Sequence, residues 1–292
     1  GGRRIIEIMT SSLGPPPAQF DLLLDQAFDV GYGVSGHNAG RFTMTQVMDL
    51  PFMSPDPWAG SAASWLTYQK FGAEYGEHDG AHVVGLFTHS NPNINMAKGR
   101  IETLADLEGK TIRVGGNVTG RMMSELGASP VQLPPTEAQT AMSRGVADGI
   151  TFPSESIDFF GITPVISSIT RIPGGLYTDT FWVAFNQDSW DALSDGERAA
   201  VEKHSGMAIA MLSGFAWTNG DTYGEEKLNA QGVEFITLPE ADVAAAREKL
   251  KPLETDWLAQ ASERGYDGDA ILQYARDMVE NYRSDKSVNV VK

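Results

Sequence analysis

The 292-residue chain contains no cysteine, which excludes a disulfide framework, a thiol nucleophile and thiolate metal ligation. It is also poor in basic residues. Lys+Arg number 22 against 38 Asp+Glu, a formal net charge of -16, the opposite of the basic footprint that nucleic acid or an anionic membrane surface requires. An anionic small molecule must therefore be held by local positive charge. No run approaches the roughly 18 apolar residues of a membrane span. Residues 1–8 lack the apolar core of a secretory signal, so an exported form would already have shed its signal. There is no G-x-S-x-G elbow to support a serine hydrolase, no internal repeat and no low-complexity tract.

What is present is enough apolar residue, 41% of the chain, to bury one or two cores. Strand-like and helix-like stretches alternate: a short run over 4–9, a Gly/Pro loop leading into a helix over 19–28, and a buried strand over 30–34. Pro55, Asp56 and Pro57 open a helix carrying Trp58, Trp65 and Leu66, and AHVVGLFTH reads as a strand. Thr103 can cap the ADL turn ahead of a strand over 110–114, and a helix follows to Gly127. Thr136 with Gln139 makes a capping box and Gly145 a helix stop before a strand over 148–152. TDTFWVAFNQ is another strand. Ser194 with Glu197 caps a long helix predicted over 194–230 and softened by Gly206, Gly214, Gly220 and Gly224. VEFITLP and helices over 240–264 and 269–282 complete an α/β alternation.

Three segments then sharpen this reading: LADLEGKTIRV (104–114), GASPVQLPPTE (127–137) and GVADG (145–149). Together they resemble the solute-binding proteins of tripartite ATP-independent periplasmic transporters, over about residues 3–282. The resemblance implies an α/β, two-lobed periplasmic-binding-protein fold with crossing strands and a long bracing helix. One lobe would span 1–91 plus 179–217, the other 92–178 plus 218–292. The family's usual first strand and first helix have no counterpart ahead of Gly1. It further implies a periplasmic location in a Gram-negative bacterium and membrane permease subunits as partners. The work implied is capture of a small organic acid by lobe closure, without catalysis and without a cofactor.

Candidate contacts follow residue by residue. Arg113, alternating with Ile112 and Val114, reads on periodicity alone as an exposed or structurally paired strand arginine; the resemblance makes it the grip on the ligand carboxylate, where a guanidinium offers two parallel donors. Gly115, Gly116, Asn117 and Gly120 form a glycine loop at a helix start, a place for an anion, but the spacing is not G-x-G-x-x-G and no acid ends the next strand, which argues against a dinucleotide. Phe152 stands where sialate- and C4-dicarboxylate-binding relatives carry asparagine, and Asn93 near where sialate binders carry a second arginine. These substitutions point to a monocarboxylate with an apolar or aromatic body. Val34, Ser35 and His37 occupy a first-lobe contact loop, and Thr178 and Trp182 lie beside or on a crossing strand, with core packing the bland reading for Phe152 and Trp182. Glu155 with Phe152 and Trp182 leaves open a small amine or zwitterion. Glu155 is also the best single acid for the remaining alternative, an α/β enzyme acting on a carboxylate or nucleotide. His78 and His82 have i, i+4 spacing, but E-H-D-G reads as a turn, so metal ligation is not assigned.

Overall fold

The computed structural model describes residues 13–38 and 40–283, so the strand expected over 4–9 lies outside the described residues. Nine strands occur among them: β1 (Val30–Val34), β2 (Ala81–Thr88), β3 (Asn93–Met96), β4 (Thr111–Val114), β5 (Ser129–Gln132), β6 (Gly149–Phe152), β7 (Ser168–Arg171), β8 (Thr180–Asn186) and β9 (Glu234–Thr237). They make two sheets, β1-β8-β2 and β5-β4-β6-β3-β7-β9. The helices are α1 (Gln19–Leu24), α2 (Pro57–Tyr75), α3 (Asn117–Glu125), α4 (Ala138–Ser143), α5 (Ser154–Phe159), α6 (Gln187–Asp191), α7 (Asp195–Glu202), α8 (Met207–Ala230), α9 (Glu240–Glu263) and α10 (Gly268–Tyr282).

Each sheet organises one lobe. In the smaller, β8 pairs antiparallel with both neighbours, and Trp182 packs with Phe20, Leu23, Phe42 and Leu86 beneath it. In the larger, β4 lies parallel to β5 and β6 while β3 runs antiparallel to β6 and β7. Its core joins Ile94, Ile112, Val114 and Met122 to Leu250. The chain crosses between lobes after β2 and again before β8, so two backbone segments lie side by side at the waist. There Thr178 Oγ1 donates to His89 O at 2.8 Å.

Four expectations need correction. First, α1 ends at Leu24, not residue 28; Gln26 follows with φ 58 and turns the chain into β1. Second, Thr136 forms no capping box, because it lies inside a 3-10 turn, Pro135–Glu137, ahead of α4. Third, the helix expected over 194–230 is broken. Ser194 and Glu197 do form their capping box, but the helix they start is α7, and Gly206 at φ 62 separates it from α8. A Cβ at Gly206 would also sit 2.7 Å from the Trp65 ring. The glycines inside α8 act less by softening it than by allowing contact. A Cβ at Gly214 would lie 2.8 Å from Trp58 Cα in α2, and one at Gly224 2.3 Å from Ser154 O at α5. So α8 still braces both lobes.

Fourth, residues 218–292 do not all belong with the larger sheet. The first half of α9 places Val243, Leu250 and Leu253 in that lobe's core. Beyond Pro252, which removes a helix donor and crowds the preceding turn, Trp257 and Ala261 pack with Met44, Met48 and Ala59 in the other lobe. Trp257 Nε1 donates to Thr43 O at 2.7 Å. α10 lies on α2 within the same core. Hence α9 is a second helix spanning both lobes. No helix among the described residues is long and apolar enough to cross a membrane.

Candidate functional site

Arg113 is the third residue of β4, paired with Val131 on one side and Ile150 on the other. Its side chain is 1% exposed, unusual for a cation, and its surroundings explain how it is held. Nε and Nη2 donate to Leu133 O at 2.9 and 2.5 Å, and Cζ sits 4.6 Å from the centroid of the Phe152 ring. Nη1 is buried without a protein partner. Burial draws the guanidinium down to about 10, against the opposing influence of Tyr177 and Asp179, so it remains charged at neutral pH. The Nε edge of the fork is spent on positioning. The Nη1 end, with the second Nη2 hydrogen beside it, remains to receive an anion.

Ser35–His37 forms a 3-10 turn directly after β1, and there Ser35 Oγ and His37 Nδ1 are likewise buried without partners. His37 lies within electrostatic reach of both Arg113 and Asp179; burial lowers its pKa, Asp179 opposes that and Arg113 adds to it. Such partnerless buried groups are few in native proteins, and here they come from both lobes. A Cβ at Gly116, ahead of α3, would touch Gly36 O at 3.6 Å, so the two loops meet across the cleft. Asn117 and Gly36 also line an inter-lobe cavity of about 240 Å³ with Gln46, Arg121 and Trp257.

The other expected contacts are distributed differently. Phe152 presents its face to Arg113 and stacks on Phe160 at 5.7 Å between centroids. Val34 pairs with Phe181. Trp182 is wholly buried in the smaller lobe's core, with Nε1 partnerless, and Thr178 ties the crossing strands. Asn93 donates to Ser154 Oγ at 3.2 Å. It lines a different cavity of about 530 Å³ with Asp56, Ser90, Arg171 and Asp221. Glu155 accepts from Ser156 Oγ at 2.9 Å, and burial raises its pKa, which weakens it as a partner for a cation. His78 is enclosed by Phe20, Phe42 and Tyr68, and burial takes it to about 3. His82 stacks on Trp190 at 3.7 Å. The i, i+4 pair is therefore split between two aromatic settings.

Sequence reasoning missed Asp179, Asp49, His89 and Tyr177. His89 places Nε2 3.1 Å from Asp179 Oδ2 and Nδ1 2.6 Å from Ser90 O. Tyr177 donates to Thr151 Oγ1 at 3.0 Å, and Asp49 Oδ1 accepts from Thr180 N and Oγ1 at 2.8 and 2.7 Å. Burial, reinforced by Asp179, raises Asp49 well above the usual carboxylate range. Burial also works to raise Asp179, but His89, His37 and Arg113 overcome it and hold that carboxyl low. The available signal was an aspartate heading the apolar strand TDTFWVAF, where a charge needs a reason.

Two α/β lobes with a buried, half-satisfied cation between them define a periplasmic-type binding protein, and comparison with known proteins makes the class specific. Residues 2–260 match the family described as bacterial extracellular solute-binding protein, family 7, DctP, and the chain belongs to that family. A relative from Comamonas testosteroni, described as the outer membrane transporter protein TsaT, is 28% identical over 277 residues, 94% of this chain and 81% of that protein. Among solved structures, a periplasmic solute-binding protein from Bordetella bronchiseptica with bound (R)- and (S)-mandelate is 33% identical. It has a TM-score of 0.85 over 91% of this chain and 84% of its own. One from Rhodoferax ferrireducens with copurified benzoate is 28% identical, TM-score 0.87, over 93% and 85%. A marine metagenome protein specific for aromatic acid ligands, in complex with metahydroxyphenylacetate, is 28% identical, TM-score 0.87, over 92% and 85%. The family is one of extracellular solute-binding proteins, and the three solved relatives are solute-binding proteins, the Bordetella bronchiseptica one periplasmic.

Proposed function

We propose that this chain is the periplasmic binding component of a tripartite transporter in a Gram-negative bacterium, and that it captures an organic monocarboxylate with an aromatic body. The observation that carries the reading is Arg113: a buried guanidinium whose inner edge is fixed by Leu133 O, whose face covers Phe152, and whose Nη1 is left without a partner. A carboxylate at Nη1 would satisfy the orphan donor and neutralise the buried charge. Phe152 supplies an apolar wall beside it. That the relatives above hold mandelate, benzoate and metahydroxyphenylacetate supports the same chemical class.

The protein does no chemistry in this reading. Contacts from the β4 end of one lobe and from Ser35–His37 of the other favour the shut form, and membrane permease subunits would receive the ligand from it; only a difference in affinity between open and shut forms can move that balance. The amine alternative has less behind it, because Glu155 is engaged by Ser156 and held toward its neutral form. The test is a thermal-shift screen of organic acids and amines followed by calorimetry. Aromatic monocarboxylates should raise the melting temperature by mass action; stabilisation by amines, or by succinate or sialate above every monocarboxylate, would overturn it.

A further inference from the structure

Asp179 stands just ahead of β8 on a crossing segment, within electrostatic reach of both Arg113 and His37. Its side chain is 25% exposed while its neighbours Thr178 and Thr180 are buried. His89 Nε2 engages Oδ2 at 3.1 Å, whereas Oδ1 takes no hydrogen bond from the protein among the described residues. Arg113 and Asp179 influence each other electrostatically, yet no nitrogen–oxygen approach within 4.0 Å joins them among the described residues. The two opposite charges are not paired with each other, so each keeps an atom for a ligand to meet.

The chemistry of that group follows from what each end lacks. Arg113 Nη1 is a donor without an acceptor. Asp179 Oδ1 is an acceptor without a donor. One ligand meets both if it carries a carboxylate for the first and a hydrogen-bond donor for the second. We propose that Asp179 is a specificity-determining residue that accepts a hydrogen bond from a hydroxyl on the ligand, so that the preferred ligand is a hydroxylated aromatic monocarboxylate. This inference rests on the assignment of Arg113 as the carboxylate grip.

A hydroxyl fits better than an ammonium, because Asp179 already faces the Arg113 cation and is engaged by imidazole groups. His89 touches it from the first crossing segment, His37 faces it from the turn after β1, and Arg113 faces it from β4. Asp49, from the 3-10 turn Thr45–Asp49, is bound to Thr180 and held toward its neutral form. A second cation would face Arg113. A neutral donor gains a charge-assisted hydrogen bond without that repulsion. A bare aromatic acid would instead cover the Asp179 carboxylate without giving Oδ1 a donor, the situation in which a site built for a hydroxyl rejects the analogue lacking it.

The experiment is calorimetric titration of the purified protein with phenylacetate, its α-hydroxylated and ring-hydroxylated forms and its α-amino form. The expected result is that at least one hydroxylated acid binds about tenfold or more tighter than phenylacetate. Asp179→Asn should shrink that ratio to within about threefold while phenylacetate itself binds as tightly as before or more tightly, since a negative charge has left the cleft. A purely structural role for Asp179 would weaken all the acids together. The ratio in the wild-type protein stands even if the variant misfolds. Equal binding of phenylacetate and its hydroxylated forms, tighter binding of the α-amino form, or an undiminished ratio in folded Asp179→Asn would overturn the inference. Acid binding without hydroxyl discrimination sinks this inference alone; failure of every acid to bind sinks the monocarboxylate reading and this one with it.

Discussion

Replacing Arg113 separates the charge of the guanidinium from its shape. Arg113→Ala removes the cationic partner of an incoming carboxylate in a desolvated setting, a loss of about 2 to 5 kcal/mol, or from about thirtyfold to several thousandfold in Kd. It also removes the stack on Phe152 and the two bonds to Leu133 O, so the melting temperature should fall without ligand, and affinity must be read on folded material. Arg113→Lys is the more discriminating change. Arg113 uses Nε and Nη2 to hold Leu133 O and keeps Nη1 for the ligand, whereas a lysine has one nitrogen that must serve both. The pH dependence adds a second signature. Burial brings Arg113 to about 10, which leaves it charged throughout the working range. A lysine starts about two pH units lower, so the same burial brings its titration toward neutrality. The sign is fixed: affinity of Arg113→Lys should fall as pH rises from 7 to 9, while the wild-type protein stays flat. Calorimetry at those two pH values with one aromatic monocarboxylate is the assay. Unchanged affinity in Arg113→Ala, or a flat response in Arg113→Lys, would refute the reasoning.

Phe152→Leu keeps an apolar wall but removes the ring under the guanidinium, and should weaken aromatic acids by about 0.5 to 2 kcal/mol in competition binding. His78, taken by burial to about 3 from an ordinary 6.5, is neutral in the fold while the unfolded chain binds a proton below 6.5. Stability should therefore fall by about 2 kcal/mol between pH 7 and pH 5 from this group; urea unfolding at the two pH values should show the drop reduced by that amount in His78→Phe. Gly224→Ala places a Cβ against Ser154 O and should cost about 1 to 3 kcal/mol of overpacking, visible as a lower melting temperature. Ligand addition should reduce the radius of gyration in small-angle scattering as the lobes close; superimposable curves at saturation would refute closure as the mode of recognition.

The elements set by local chemistry were legible before the fold was known. The capping box of Ser194 and Glu197, the Thr103 turn and the strand carrying Arg113 are all where their residues put them, because each depends on neighbours within a few positions. What was not legible depends on contacts far apart in sequence. Gly206 breaks a helix by taking φ 62 beside the Trp65 ring, and Gly214 and Gly224 serve close approach to α2 and α5; without knowing those partners, four glycines in a helical stretch read as softness. The passage of α9 from one core to the other is hidden for a similar reason, since Leu253 and Trp257 are both simply apolar until the lobes are assembled. The cleft shows the same division. Arg113 stood out by its motif, but Asp179 acquires meaning only when the crossing segments bring His89 to its carboxylate and β4 sets Arg113 within electrostatic reach. A site formed between lobes is assembled from strand ends, and strand ends are where single-chain periodicity stops carrying information. That is why one candidate cation could be named from its own segment, while the acid within its electrostatic reach required the fold.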